Sequence, residues 1–130
     1  MVNPGVFKSV RTACRKSRMQ MKTWGAAKRL RILSAMKYYA LIYDVVDNFA
    51  ERRMPFRETH LKMVREAHER GAIVMAGALG DPISGALIVF RVQDGAVVEN
   101  FARTDPYVTQ GVVTRWQVKP WNVVIGGAEG

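Results

Sequence analysis

Between Tyr38 and Val124 strand-like and helix-like stretches follow one another in the order β-α-β-β-α-β, and few folds accept that order. Tyr38 to Val45 (YYALIYDV) is dense in aromatic and β-branched residues and reads as a strand. Asp47, Asn48 and Pro55 punctuate a connection. Phe56 to Arg70 then sets Phe56, His60, Met63, Val64 and Ala67 on one side of a helix that stops at Gly71. Ala72 to Leu79 is a second strand, closed by the turn-rich Gly80 to Gly85, and Ala86 to Val92 a third. Asp94 can cap a helix over Val97, Val98, Phe101 and Ala102 that ends before Asp105-Pro106, because the residue ahead of a proline is pushed out of helical geometry. Thr114 to Val118, extended to Val124, makes the last strand. The expected class is α+β: a ferredoxin-like sandwich, two helices over one face of a four-stranded antiparallel sheet.

A sheet covered on one side alternates apolar and polar residues, and these strands do not. Ala72 to Ala76 is apolar at every position, and Leu87 and Val89 are as apolar as Ile88 and Phe90. Both faces need cover, and two helices supply only one. The second face is therefore expected to pack on another copy of the chain, as a homodimer joined across the sheets.

Charge divides the 130 residues at Met36. Residues 1–37 hold ten Lys and Arg and no acid, whereas residues 38–130 hold the other ten against all eleven Asp and Glu, so the net +9 belongs to the leader. Lys8, Arg11, Arg15, Arg18 and Lys22 step at helical spacing beside Phe7, Val10, Cys14, Met21 and Trp24, an amphipathic cationic pattern. Residues 1–35 thus resemble a mitochondrial or other organelle transit peptide, and Arg31-Ile32-Leu33-Ser34 a presequence cleavage site. A basic tail, or an extension ahead of a working start at Met36 in the cytoplasm, fits the same residues. Residues 36–130 make one domain. No stretch approaches the roughly 20 apolar residues of a membrane-spanning helix, so no membrane insertion is expected. The folded part is slightly acidic and lacks an aromatic-plus-basic sheet platform, which argues against nucleic acid as a partner.

Few residues suggest chemistry. One cysteine rules out an internal disulfide, and it and two scattered histidines give no zinc spacing, so neither metal nor other cofactor is expected. Nucleotide-binding glycine loops, GxSxG and HExxH are missing. His60 lies on the apolar side of the first helix, and an imidazole can take and return a proton near neutrality. On the residues alone, a core imidazole hydrogen-bonded to a carbonyl is the simpler reading. His68, near the helix end, reads as structural. Asp105 reads as a turn or capping residue unless the fold brings it to His60, where a carboxylate would fix the ring tautomer and free the other nitrogen. Gly77 allows close approach of a ligand or backbone, or marks a strand-end bend. Lys119-Pro120-Trp121 reads as part of an edge strand blocked from further pairing.

Taken together, Tyr38-Tyr39-Ala40-Leu41-Ile42-Tyr43, Arg57-x-x-His60-Leu61, Ala76-Gly77-Ala78-Leu79, Asp105-Pro106-Tyr107-Val108 with Gly111, and Val118-Lys119-Pro120-Trp121 resemble the YCII-related (YciI-like) family. The resemblance runs through residues 36–130 and implies a fold of the dimeric ferredoxin-like α/β-barrel type. It also implies a His-Asp pair, here His60 and Asp105, in a pocket between helix and sheet. Arg57 stands at the family's arginine position, to hold an anionic substrate or the aspartate. Ala78 departs from a proline common in the family, which bears on the pocket rim. The wider superfamily holds lactone isomerases and enzymes of aromatic-compound breakdown. The implied function is a lyase or isomerase moving a proton on a small cyclic or carbonyl compound, with His60 and Asp105 catalytic and Arg57 and Gly77 at the substrate. The rival reading is a non-catalytic small-ligand or stress-linked module on the same fold.

Overall fold

A computed structural model describes residues 35–127. The basic leader, its expected import role and its suggested cleavage site lie outside the described residues. Four strands, β1 (Lys37–Val45), β2 (Ile73–Leu79), β3 (Gly85–Val92) and β4 (Val113–Trp121), pair antiparallel in the order β2-β3-β1-β4. Four helices join them: α1 (Phe49–Arg52), α2 (Met54–Glu69), α3 (Gly95–Thr104) and α4 (Pro106–Thr109). Without the two one-turn helices α1 and α4, the order is β-α-β-β-α-β, as the residue pattern predicts.

Local chemistry explains the boundaries. The α2 helix begins two residues earlier than its apolar period suggests, because Pro55 occupies its first turn instead of the connection. Proline suits that place: its missing N–H has no helical partner there and its φ is already helical. At the other end Gly71, with φ 86°, takes the left-handed turn that ends the helix. The expected cap of α3 is present, the Asp94 carboxylate accepting from the Ala96 N–H at 3.0 Å. Pro106 ends α3 as expected but also opens α4, and Asp105 caps that turn. The last strand stops at Trp121, short of Val124. Trp121 pairs with Tyr38, one residue from the start of β1, so Val124 and Ile125 have no strand to join and stand about 90% exposed. Pro120 sits in β4 at the sheet edge, where a missing donor costs no ladder bond on the outer side.

One face of the sheet carries the core. Tyr39, Leu41 and Tyr43 of β1 and Ile88, Phe90 and Val92 of β3 are buried with Val98, Phe101 and Ala102 of α3 and Ala67 of α2. Burying a side chain such as Leu41 contributes roughly 1.5–3 kcal/mol, so this face supplies most of the hydrophobic stabilisation. Gly85 lets β3 pass β1 closely, since a Cβ there would sit 2.7 Å from the Tyr43 carbonyl oxygen. The opposite face is apolar along β2 and β3, as the sequence indicates, while β4 adds Arg115, Gln117 and Lys119 to it, and no helix lies over it among the described residues. Met75 is 64% and Leu79 44% exposed there.

Candidate active site

The site forms where the end of β1, the first half of α2 and the α3–α4 junction meet. Asp105 is 0% exposed and is the one charged residue among the buried side chains described. An ionised carboxylate moved out of water is stable only if its lone pairs are met. Three donors meet them: the Tyr43 hydroxyl donates to Oδ2 at 2.7 Å, the Tyr107 backbone N–H to Oδ1 at 2.9 Å, and His60 Nδ1 lies 3.0 Å from both oxygens. Because the aspartate accepts only, Nδ1 carries a proton in this network and Nε2 is the ring's remaining site for exchange.

The same packing locks the ring. The Tyr107 ring stacks on His60 at 3.8 Å and 10°, and meets Phe49 edge-on at 5.4 Å and 87°. Phe49 belongs to α1, so the short helix braces the stack. The Tyr43 phenol is held protonated far above its ordinary value, first by burial, then by the negative charge of Asp105 and the hydrogen bond to it. Tyr107 is also raised, mainly by burial; the Arg53 and Arg57 charges oppose that rise and Asp105 adds to it.

His60 lines a cavity of about 350 Å³, the size of a small-molecule site. Its walls are Phe49, Leu61, Val64, Ile83 and Ile88, with Tyr43, Arg53, Arg57 and Tyr107 supplying polar groups. Arg57 lines this cavity and makes no ion pair with Asp105, so the second of its expected roles, holding the aspartate, is not what the fold uses. Ala76, Gly77 and Ala78 of β2 form part of the wall. A Cβ on Gly77 would meet nothing within 4 Å, so close approach does not demand glycine there; its register places the missing side chain on the open face with Met75 and Leu79. His68 is structural, its Nδ1 2.8 Å from the Ile73 carbonyl oxygen. Among the described residues no group of three His, Cys, Asp or Glu is arranged to hold a metal ion.

Tyr43, Phe49, Arg53 and Tyr107 are the site residues that the sequence reading misses as a group. Tyr43 shares the core-facing alternation of Tyr39 and Leu41, and only its buried phenol at a strand end hints at a polar duty. Arg53 precedes Arg57 by one helical turn, a signal hidden by assigning it to a loop.

Comparison with known proteins supplies the lineage. The YCII-related domain model matches residues 36–122. An uncharacterised protein of Haemophilus influenzae is 26% identical over 96 residues, covering 67% of this chain and 98% of the relative. Protein YciI of Escherichia coli is 28% identical over 98 residues, covering 68% and 99%. Among solved structures, 5-chloro-2-hydroxyhydroquinone dehydrochlorinase of Burkholderia phenoliruptrix, in complex with 2,5-dihydroxybenzoquinone, superposes with a TM-score of 0.56 at 15% identity, over 65% of this chain and 93% of its own. That likeness shows the shared fold. The family model covers two thirds of the sequence and all of the residues that build the cavity, and the chain belongs to the YCII-related domain family.

Proposed function

We propose that this protein is an acid/base enzyme of lyase or isomerase type acting on a small cyclic or carbonyl compound. The observation that carries the reading is the His60–Asp105 contact, 3.0 Å to both carboxylate oxygens, at the wall of an apolar cavity. Asp105 is a positioning residue: it holds the Nδ1–H tautomer. His60 Nε2 takes a proton from one atom of the substrate and returns it to another or to a leaving group. Tyr43 and the Tyr107 N–H hold the carboxylate in place, and the Tyr107 ring fixes the imidazole plane. A dehydrochlorinase of the same fold, named for a hydroxylated ring compound, supports a substrate of that size.

A panel of hydroxyhydroquinones, including 5-chloro-2-hydroxyhydroquinone, together with enol lactones and hydroxylated ring acids, tests the reading. The wild-type chain is expected to turn over at least one member, and His60→Ala to slow it by about 10²–10⁴-fold. Unchanged turnover in His60→Ala, or binding across the panel with no turnover by the wild type, contradicts it.

We also propose that the open sheet face closes on a second copy. Exposed Met75 and Leu79, with Leu87 and Val89 beside them on the β2–β3 part of this face, support this reading. Sedimentation at micromolar concentration is expected to give twice the chain mass, and a single-chain mass contradicts it.

A further inference from the structure

The start of α2 carries two positive charges where helix physics disfavours them. Arg53 stands at its N-cap and Arg57 one turn later, the first turn holds no acid, and the helix dipole already makes this end positive. Both side chains line the cavity, and neither lies within 4.0 Å of a carboxylate among the described residues. Asp105, the carboxylate of the same site, is already met by three donors. Arg53 is braced, its guanidinium 5.3 Å from the centre of the Phe49 ring, and its buried Nε has no hydrogen-bond partner. A buried donor left unmet is costly and marks a place where a ligand atom belongs. The stripe continues down the helix as His60, Leu61 and Val64, so one wall passes from cationic to proton-handling to apolar within three turns.

We infer that the cavity selects a small planar ring compound bearing an anionic oxygen group, a carboxylate or an ionised enol, which Arg53 and Arg57 bind while the apolar wall takes the ring beside His60. This names the substrate class of the site proposed above and rests on that reading for its catalytic sense, although the binding claim stands apart from turnover. The planar fork of Arg53 suits two oxygens of a carboxylate or an adjacent enolate pair, with Nε among its donors. The opposition of both arginines to the rise at the Tyr107 phenol puts their positive field within the same site.

Calorimetric titration of the full chain with 4-hydroxybenzoate and 4-hydroxybenzamide, of like shape but different charge, tests the inference. The wild type is expected to bind the acid roughly tenfold to a hundredfold more tightly than the amide. Added salt should weaken the acid and leave the amide unchanged. The preference should vanish in Arg53→Gln/Arg57→Gln, checked for folding by thermal melting, and persist in His60→Ala. If the double variant does not fold, the acid-against-amide ratio and its salt dependence in the wild type decide alone. Equal affinity for acid and amide, no binding of either, or a preference that survives in a folded double variant overturns the inference. Loss of turnover in His60→Ala with the acid preference intact leaves both proposals standing; turnover unaffected by His60→Ala with the preference intact removes the catalytic reading only.

Discussion

The two halves of α2 carry one histidine each, eight residues apart, and the fold treats them differently. At the N-terminal half His60 meets a buried carboxylate, is stacked on Tyr107 and faces a cavity. Near the C-terminal end His68 meets the carbonyl of Ile73 and ties the helix to the next strand. Both rings are held through Nδ1. The partner makes the difference: a carbonyl bond finishes a turn, whereas a carboxylate fed by three donors also stabilises the charge that the ring gains when it takes a proton.

Removing partners sharpens this contrast, starting with the largest effect. Asp105→Ala deletes the acceptor for Tyr43, His60 and the Tyr107 N–H together, and breaking a buried pair is worth about 3–5 kcal/mol; chemical denaturation is expected to show a loss of that order. His68→Ala removes one bond to a carbonyl and should cost about 1 kcal/mol with turnover intact. A comparable loss of turnover in His60→Ala and His68→Ala would erase the distinction between the two halves.

Tyr43 gives an effect between those two, with a definite sign in pH. Its phenol pKa is raised in the folded chain above its ordinary 10.0, so the folded state holds this proton more tightly than the unfolded one. The contribution is fully present below pH 10 and is lost as pH rises beyond it. Tyr43→Phe is expected to cost about 1–3 kcal/mol at neutral pH, by removing a hydrogen bond to a charge, and to flatten the fall in stability above pH 10. An unchanged alkaline slope in denaturation midpoints would show that Tyr43 is not the group responsible.

Strand order and the two main helices were legible because they depend on apolar periodicity, which the sequence displays directly. The one-turn helices α1 and α4 are too short to show a period, and a proline reads in sequence as a break although Pro106 opens α4 and Pro55 stands in the first turn of α2. The pairing of His60 with Asp105 spans 45 residues, and no periodicity links them; the family resemblance supplied that expectation. Tyr43 reads as one aromatic of a strand and Tyr107 only as part of the family motif, while their role lies in a hydroxyl and a ring face whose partners come from distant elements and in a backbone N–H that meets Asp105 two residues before it. The open sheet face was visible as apolar residues on both sides of β2 and β3.

The proposed chemistry turns on His60 being held by Asp105 through Nδ1. Long-range nitrogen-proton NMR of the histidine rings, at a pH where both are neutral, reads the tautomer directly. His60 is predicted to carry its proton on Nδ1, and to lose that preference in Asp105→Asn if the variant remains folded, while His68 stays unchanged. A proton on Nε2 of His60 in the wild type, or a tautomer indifferent to the Asp105 substitution, would contradict it.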